Sequence, residues 1–185
     1  MTKVGVLISG RGSNLVALLA EMRAGRVPAE VALVVSNKAH APGLEKARSF
    51  GAAVRVIEAS PSMSREQHDE AVAAALEAAG VQLVCLAGYM RILSTPFVEK
   101  YLGRMLNIHP SLLPAFPGLH PQRQALAAGV TIAGCTVHFV TPTVDAGPIV
   151  AQAAVPVLAG DDEASLAARI LIQEHRLYPR AVDAI

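Results

Sequence analysis

The sequence predicts an α/β fold, a mixed but mostly parallel sheet with helices on both faces, and three observations carry that reading. Four short apolar, β-branched runs occupy the first half of the chain, and helical patterns separate them. Strands that read as near-continuous apolar runs are buried on both faces, which is the habit of parallel sheets covered by crossover helices. Two longer strand-like runs follow, VTIAGCTVHFV and GPIVAQAAVPV, joined only by TPTVDA. So short a connection suggests antiparallel pairing at one edge, because a parallel crossover needs a dozen residues or more.

The elements follow in order. KVGVLIS, residues 3–9, reads as the first strand, and GRGSN punctuates it before the amphipathic helix LVALLAEMRAG. EVALVVS, residues 30–36, is the second strand. The helix in APGLEKARSFG has Pro42 near its start, where a fixed φ costs nothing, and Gly51 at its stop. AVRVIE is the third strand. Residues 65–80, REQHDEAVAAALEAAG, make the clearest helix, rich in alanine and closed by a glycine. VQLVCLAG is the fourth strand, and STPFVEKYLG a short helix with Ser94 as its N-cap. Beyond residue 104 come a short strand, RMLNIH, a proline-rich loop and a helix near 121–128. A terminal helix opens at DDEASLAARILIQEHRL, its acidic residues matched to the helix dipole.

With 185 residues, no internal repeat and no linker, residues 1–185 are expected to form one domain. A hydrophobic content of 52% against 17% charged residues excludes global disorder. The net charge of +1 offers no field for nucleic acid, and no apolar run reaches the ~20 residues of a membrane span. The N-terminus lacks a signal-peptide pattern. Cys85 and Cys135 sit in strand-like runs as buried free thiols, which fits a reducing cytoplasm.

Two stretches carry candidate chemistry. In ISGRGSN, Gly10 and Gly12 permit a tight turn, and Ser13 and Asn14 open the following helix with backbone N–H groups. The pattern is neither GxGxxG nor a Walker A loop, and the second strand ends VVSNKAH with no acidic residue for a ribose. A phosphate monoester fits better than a dinucleotide. The alternative is a tight turn in which Ser13 or Asn14 only caps the helix.

In NIH, Asn107 and His109 lie two apart, so at a strand end they face one side. Pro110 then ends the ladder and turns the chain. Taken singly, His109 reads more readily as a loop histidine satisfied by backbone or water, and Asp145 in TPTVDAGPI as a turn former. If the Asp145 loop folds over the sheet edge, its carboxylate reaches His109, and the pair can manage the protons of an acyl transfer. His120 reads as pocket wall or a supporting residue, and His138, alternating with Thr136 and Phe139 in a strand, as a satisfied core histidine or a supporting residue. No histidine or carboxylate cluster has metal spacing, so no metal is expected. Neither a serine elbow nor a cysteine beside His109 favours covalent catalysis.

Together VLISGRGSNL, VVSNKA, GLEKAR, LAGYMRILS, LNIHPSLLPAFPGLH, VHFV, the D-A-G-P turn and QEHRLYP run nearly the length of the chain. The sequence so assembled resembles the folate-dependent formyltransferases, in particular the branch acting on glycinamide ribonucleotide, with its Rossmann-like formyltransferase fold. The GRGSN loop and PGLH separate it from the related enzyme acting on methionyl-tRNA. The formyltetrahydrofolate hydrolase, which uses water in place of the amine, is the nearer rival.

The resemblance implies that Asn107, His109 and Asp145 are the catalytic trio. It implies that Gly12, Ser13 and Asn14 hold the ribonucleotide phosphate, with Gln173 and Glu174 on the same substrate. The formyl donor, 10-formyltetrahydrofolate, would lie against Met90, Arg91, Ile92 and Leu93 and under the loop with Thr141 and Val144, with Arg65 near its tail. It also implies a cis Leu113–Pro114 bond. Both partners are small molecules, no metal is required, and the sequence leaves a homodimer open. Some relatives carry a second histidine where Gln122 stands, and relatives usually continue past Ile185 with a short strand and tail.

Overall fold

The computed structural model describes residues 1–185. Its frame is a seven-stranded sheet in the order β3-β2-β1-β4-β5-β6-β7. The strands are β1 (Thr2–Ile8), β2 (Ala29–Ser36), β3 (Val54–Val56), β4 (Leu83–Leu86), β5 (Met105–His109), β6 (Ile132–Phe139) and β7 (Ile149–Pro156). The first five run parallel, and β6 and β7 continue the sheet antiparallel. The helices are α1 (Ser13–Arg23), α2 (Pro42–Ser49), α3 (Arg65–Ala78), α4 (Thr95–Lys100), α5 (Pro121–Ala128) and α6 (Glu163–Asp183).

The apolar runs divide by the pleat. Val6 and Ile8 of β1 and Cys85 of β4 face a core shared with Leu15, Leu18 and Tyr178 of α1 and α6. Leu7, Val84 and Leu86 face the opposite core, built on Val72 and Leu76 of α3 and Phe97 of α4. Burial on both faces is why these strands read as unbroken apolar segments rather than alternating ones.

The chain builds outward from β1 through β2 to β3, then returns to place β4 on the other side of β1. The connections after β1 and β4 therefore leave the sheet in opposite directions, and a crevice opens between them at the carboxyl ends of the strands. Every candidate residue discussed below, apart from those on α3 and α6, sits at or just beyond that edge.

Three details differ from expectation. The third strand shortens to Val54–Val56, a partly exposed edge held only by β2. Helix α6 runs through Pro179 to Asp183. Proline removes one helix hydrogen bond there, but Tyr178, Ala181 and Val182 are buried, and their packing carries the helix onward. Ser94 does precede α4, yet its side chain makes no capping bond. The Leu113–Pro114 peptide is cis. No helix is long and apolar enough to cross a membrane.

Candidate active site

Strand β5 ends on Asn107 and His109, the residues the sequence offers as candidates for the chemistry. Asn107 pairs directly with His138 of β6, and His109 with Thr136. Directly opposed residues project from the same face of a sheet, so two histidines, an asparagine and a threonine cluster at one corner. Thr136 organises the proline loop: its hydroxyl donates to Ser111 O at 2.7 Å and accepts from the Leu113 N–H at 3.0 Å. The Ser111 hydroxyl donates to Ala115 O at 2.6 Å. The loop so pinned presents Phe116, held at a positive φ of 54°, with its carbonyl 3.0 Å from His109 Nε2.

Asp145 completes the cluster from the β6–β7 loop. Its Oδ2 accepts the Gly118 N–H at 2.8 Å and stands 3.5 Å from His109 Nδ1. Its Oδ1 lies 3.7 Å from His138 Nε2. His109 thus has an oxygen atom facing each ring nitrogen, Phe116 O at hydrogen-bonding distance and the Asp145 carboxylate slightly farther.

His138 is placed differently. Its Nδ1 faces Phe139 O at 2.9 Å and donates there, which leaves Nε2 to accept from Asn107 Nδ2 at 3.3 Å. Burial pushes its pKa down, outweighing the pull of the Phe139 carbonyl and of Asp145. A neutral His138 is therefore the form that orients the Asn107 amide. One Asn107 N–H is occupied by that bond, and the second is left for the cleft.

The cleft beside this cluster is a cavity of about 150 Å³ lined by Asn107, His138, Asp145, Tyr89, the segment Arg91–Leu93 and the segment Val140–Val144. Ligand pockets for drug-sized molecules hold about 300–1,000 Å³, so a larger flat ligand must extend along the rim. That rim is apolar and open: Met90 is 68% exposed, Ile92 64% and Val144 57%. Arg91 and Leu93 line the cleft itself, and the Thr141 hydroxyl closes its own loop by donating to Thr143 O at 3.1 Å. Arg65 stands exposed at the first position of α3, away from the cleft lining.

The glycine loop is the second candidate site. Gly12 is the N-cap residue of α1 at φ 67°, and neither Ser13 nor Asn14 caps the helix with a side chain. A Cβ at Gly12 would stand 2.7 Å from the Gly43 Cα, so the turn is packed directly on the start of α2. Ser13 and Asn14 begin α1, where N–H groups have no helical acceptor. The Asn14 side chain turns inward and donates to Glu174 Oε2 at 2.7 Å, while its own Oδ1 is buried without a partner. Glu174 is buried on α6, and desolvation raises its pKa despite the Asn14 hydrogen bond. Gln173, the preceding residue of α6, is partly exposed.

A family model described as formyl transferase matches residues 2–182. The chain belongs to the formyl transferase family. Among its relatives is the phosphoribosylglycinamide formyltransferase of Escherichia coli (strain K12), 49% identical over 96% of this chain and 84% of the relative. The trifunctional purine biosynthetic protein adenosine-3 of Drosophila pseudoobscura pseudoobscura is 54% identical over 97% of this chain, which spans 13% of that protein's length. In three dimensions the crystal structure of glycinamide ribonucleotide transformylase 1 from Symbiobacterium toebii superposes with a TM-score of 0.97 at 56% identity. That match covers 99% of this chain and 86% of the other.

As a formyl transferase, the molecule brings together more than the sequence pointed to. His138, offered by the sequence as a core or supporting residue, touches Asn107 and lines the cleft, and that partner emerges only once β5 and β6 are paired in register. The Gly118 amide and Phe116 carbonyl, which hold Asp145 and His109, belong to backbone whose direction no side-chain pattern encodes. His120 lies exposed at the rim of α5, 3.6 Å from Glu163. No group of three or more histidine, cysteine or acidic side chains is gathered to hold a metal ion.

Proposed function

We propose that this formyl transferase moves the formyl group of 10-formyltetrahydrofolate to the primary amine of glycinamide ribonucleotide, releasing tetrahydrofolate. The observation that carries the reading is the convergence of Asn107, His109 and Asp145 at the side of the cleft. The half-apolar cleft with its open rim suits a flat pterin. The helix N-terminus at Ser13 and Asn14 suits a phosphate. The names of the E. coli and S. toebii relatives support the same substrate.

In this scheme the free amine attacks the formyl carbon on N10. The carbonyl electron pair moves to oxygen, where the free Asn107 N–H receives it, joined by His109 once its Nε2 N–H turns from the Phe116 carbonyl to the oxyanion. Asp145 holds the His109 ring and passes the proton lost by the attacking nitrogen toward N10, whose bond to carbon then breaks. Glu174 and Gln173 face the ribonucleotide, Met90 to Leu93, Thr141 and Val144 the donor, and Arg65 its tail. No metal enters any step.

The test is to supply 10-formyltetrahydrofolate with and without glycinamide ribonucleotide and follow tetrahydrofolate release. Release that requires the ribonucleotide is expected. Release at the same rate without it would instead identify a hydrolase, and no release in either condition would refute both.

A further inference from the structure

The segment Met90–Leu93 lies outside every helix and strand, and none of its N–H groups donates to a backbone carbonyl. Its residues Arg91, Ile92 and Leu93 nevertheless form one wall of the cleft, with Met90 exposed beside them. Its position is set from outside, at both ends. At the front, the Met90 N–H donates to Ser9 Oγ at 2.7 Å, and that hydroxyl donates to Asn37 Oδ1 at 2.6 Å. At the back, the Ser94 N–H donates to Asp69 Oδ2 at 2.6 Å.

Asp69 is the unusual member. It is 1% exposed, in the first turns of α3, and its neighbour His68 is fully buried. His68 Nδ1 stands 3.2 Å from Asp69 Oδ1, and His68 Nε2 stands 2.8 Å from the Ile57 carbonyl just beyond β3. Two ionisable groups inside the core with Val72, Leu76 and Phe97 are costly to bury unless satisfied. Replacement of such a pair by apolar residues is often neutral or stabilising, so stability alone does not account for them. Each of their four polar atoms has a partner, and one of those partners is the N–H that ends the cleft wall.

We infer that His68 and Asp69 are positioning residues for the formyl-donor subsite. They fix Ser94, and Ser9 fixes Met90, so that the Met90–Leu93 wall is held at a constant distance from Asn107 without hydrogen bonds of its own. The brace is geometrical; its assignment to the formyl donor rests on the proposed function.

Asp69→Ala, Asp69→Asn and Val72→Ala test it together. Hydrogen bonds that orient metal ligands from behind are worth about 10- to 100-fold, and the brace is expected at the low end of that range. Asp69→Ala should raise KM for 10-formyltetrahydrofolate by about tenfold and leave KM for the ribonucleotide within about twofold of the parent. Asp69→Asn should recover most of the loss, because its oxygen accepts from Ser94 and its amide donates to His68 Nδ1. Val72→Ala, a cavity in the same helix face, should lower Tm without separating the two KM values. Hydrogen exchange at the Ser94 amide, faster in Asp69→Ala and unchanged in Val72→Ala, reports the brace whether or not the substrates are those proposed. Should Asp69→Ala not fold, Ser94→Pro deletes the same N–H at a residue already at φ −70°. Equal rises in both KM values, or unchanged Ser94 exchange on loss of the carboxylate, would overturn the inference.

Discussion

His109 and Asp145, one at the end of β5 and the other in the loop between β6 and β7, approach to 3.5 Å with both side chains almost fully buried. The contact holds because neither partner chooses its own position. Asp145 sits at φ 53° with its carboxylate tied to the Gly118 N–H, and His109 is fixed through Phe116 O. Asp145→Asn keeps an acceptor for Gly118 and removes the charge before His109. Turnover should fall by about 10²–10⁴-fold, the usual worth of a positioned acid or base, with both KM values near the parent. Steady-state kinetics check this, and a loss confined to KM would contradict the proton-transfer role.

Asn107 offers one N–H to His138 and the other to the cleft. Asn107→Ala removes an oxyanion donor and should cost about 10²–10³ in turnover, roughly 3–4 kcal/mol. His138 also loses the donor to its Nε2, so a modest fall in Tm should accompany it. Turnover within threefold of the parent would remove Asn107 from the mechanism.

Glu174 gives a prediction of opposite sign for stability and function. Burial raises its pKa above the ordinary 4.5, so the folded chain holds a proton that the unfolded chain releases. Its contribution to stability is complete below pH 4.5 and is lost as pH rises through the raised value. Glu174→Gln keeps the acceptor for Asn14 and supplies a donor for the unpartnered Asn14 Oδ1. Thermal unfolding at neutral pH should show a gain on the order of 1 kcal/mol, and the gain should shrink at pH 4. Ribonucleotide affinity should fall at the same time, as binding measurements can check.

Gly12 is placed by two constraints. A side chain there must adopt φ 67° and bring its Cβ to 2.7 Å from the Gly43 backbone. The conformational term alone costs about 1–2 kcal/mol, and the clash shifts the turn. Gly12→Ala should therefore weaken ribonucleotide binding far more than folate binding, measured by titration with each ligand. Equal losses would contradict the phosphate subsite.

The sequence alone determined the mixed α/β frame, because double-sided burial writes continuous apolar strands and helix boundaries write glycines and prolines. It also offered Asn107, His109 and the GRGSN turn as candidates, each with a plain structural reading of its own, and they became specific only when the motifs were read together. The ambiguity at each single residue was real: Asp145 is a turn residue by its φ as well as a partner of His109.

Tertiary structure decided what depends on who pairs with whom. The register of β5 on β6 put His138 against Asn107. The inward turn of Asn14 onto Glu174 joined the first helix to the last. Helix α6 continued past Pro179 because the burial of Tyr178 and Val182 outweighed one missing hydrogen bond. Local sequence encodes propensity and periodicity, and these travel only a few residues along the chain. Hydrogen bonds between remote side chains, and from side chains to remote backbone, depend on distances that exist only after the sheet has assembled.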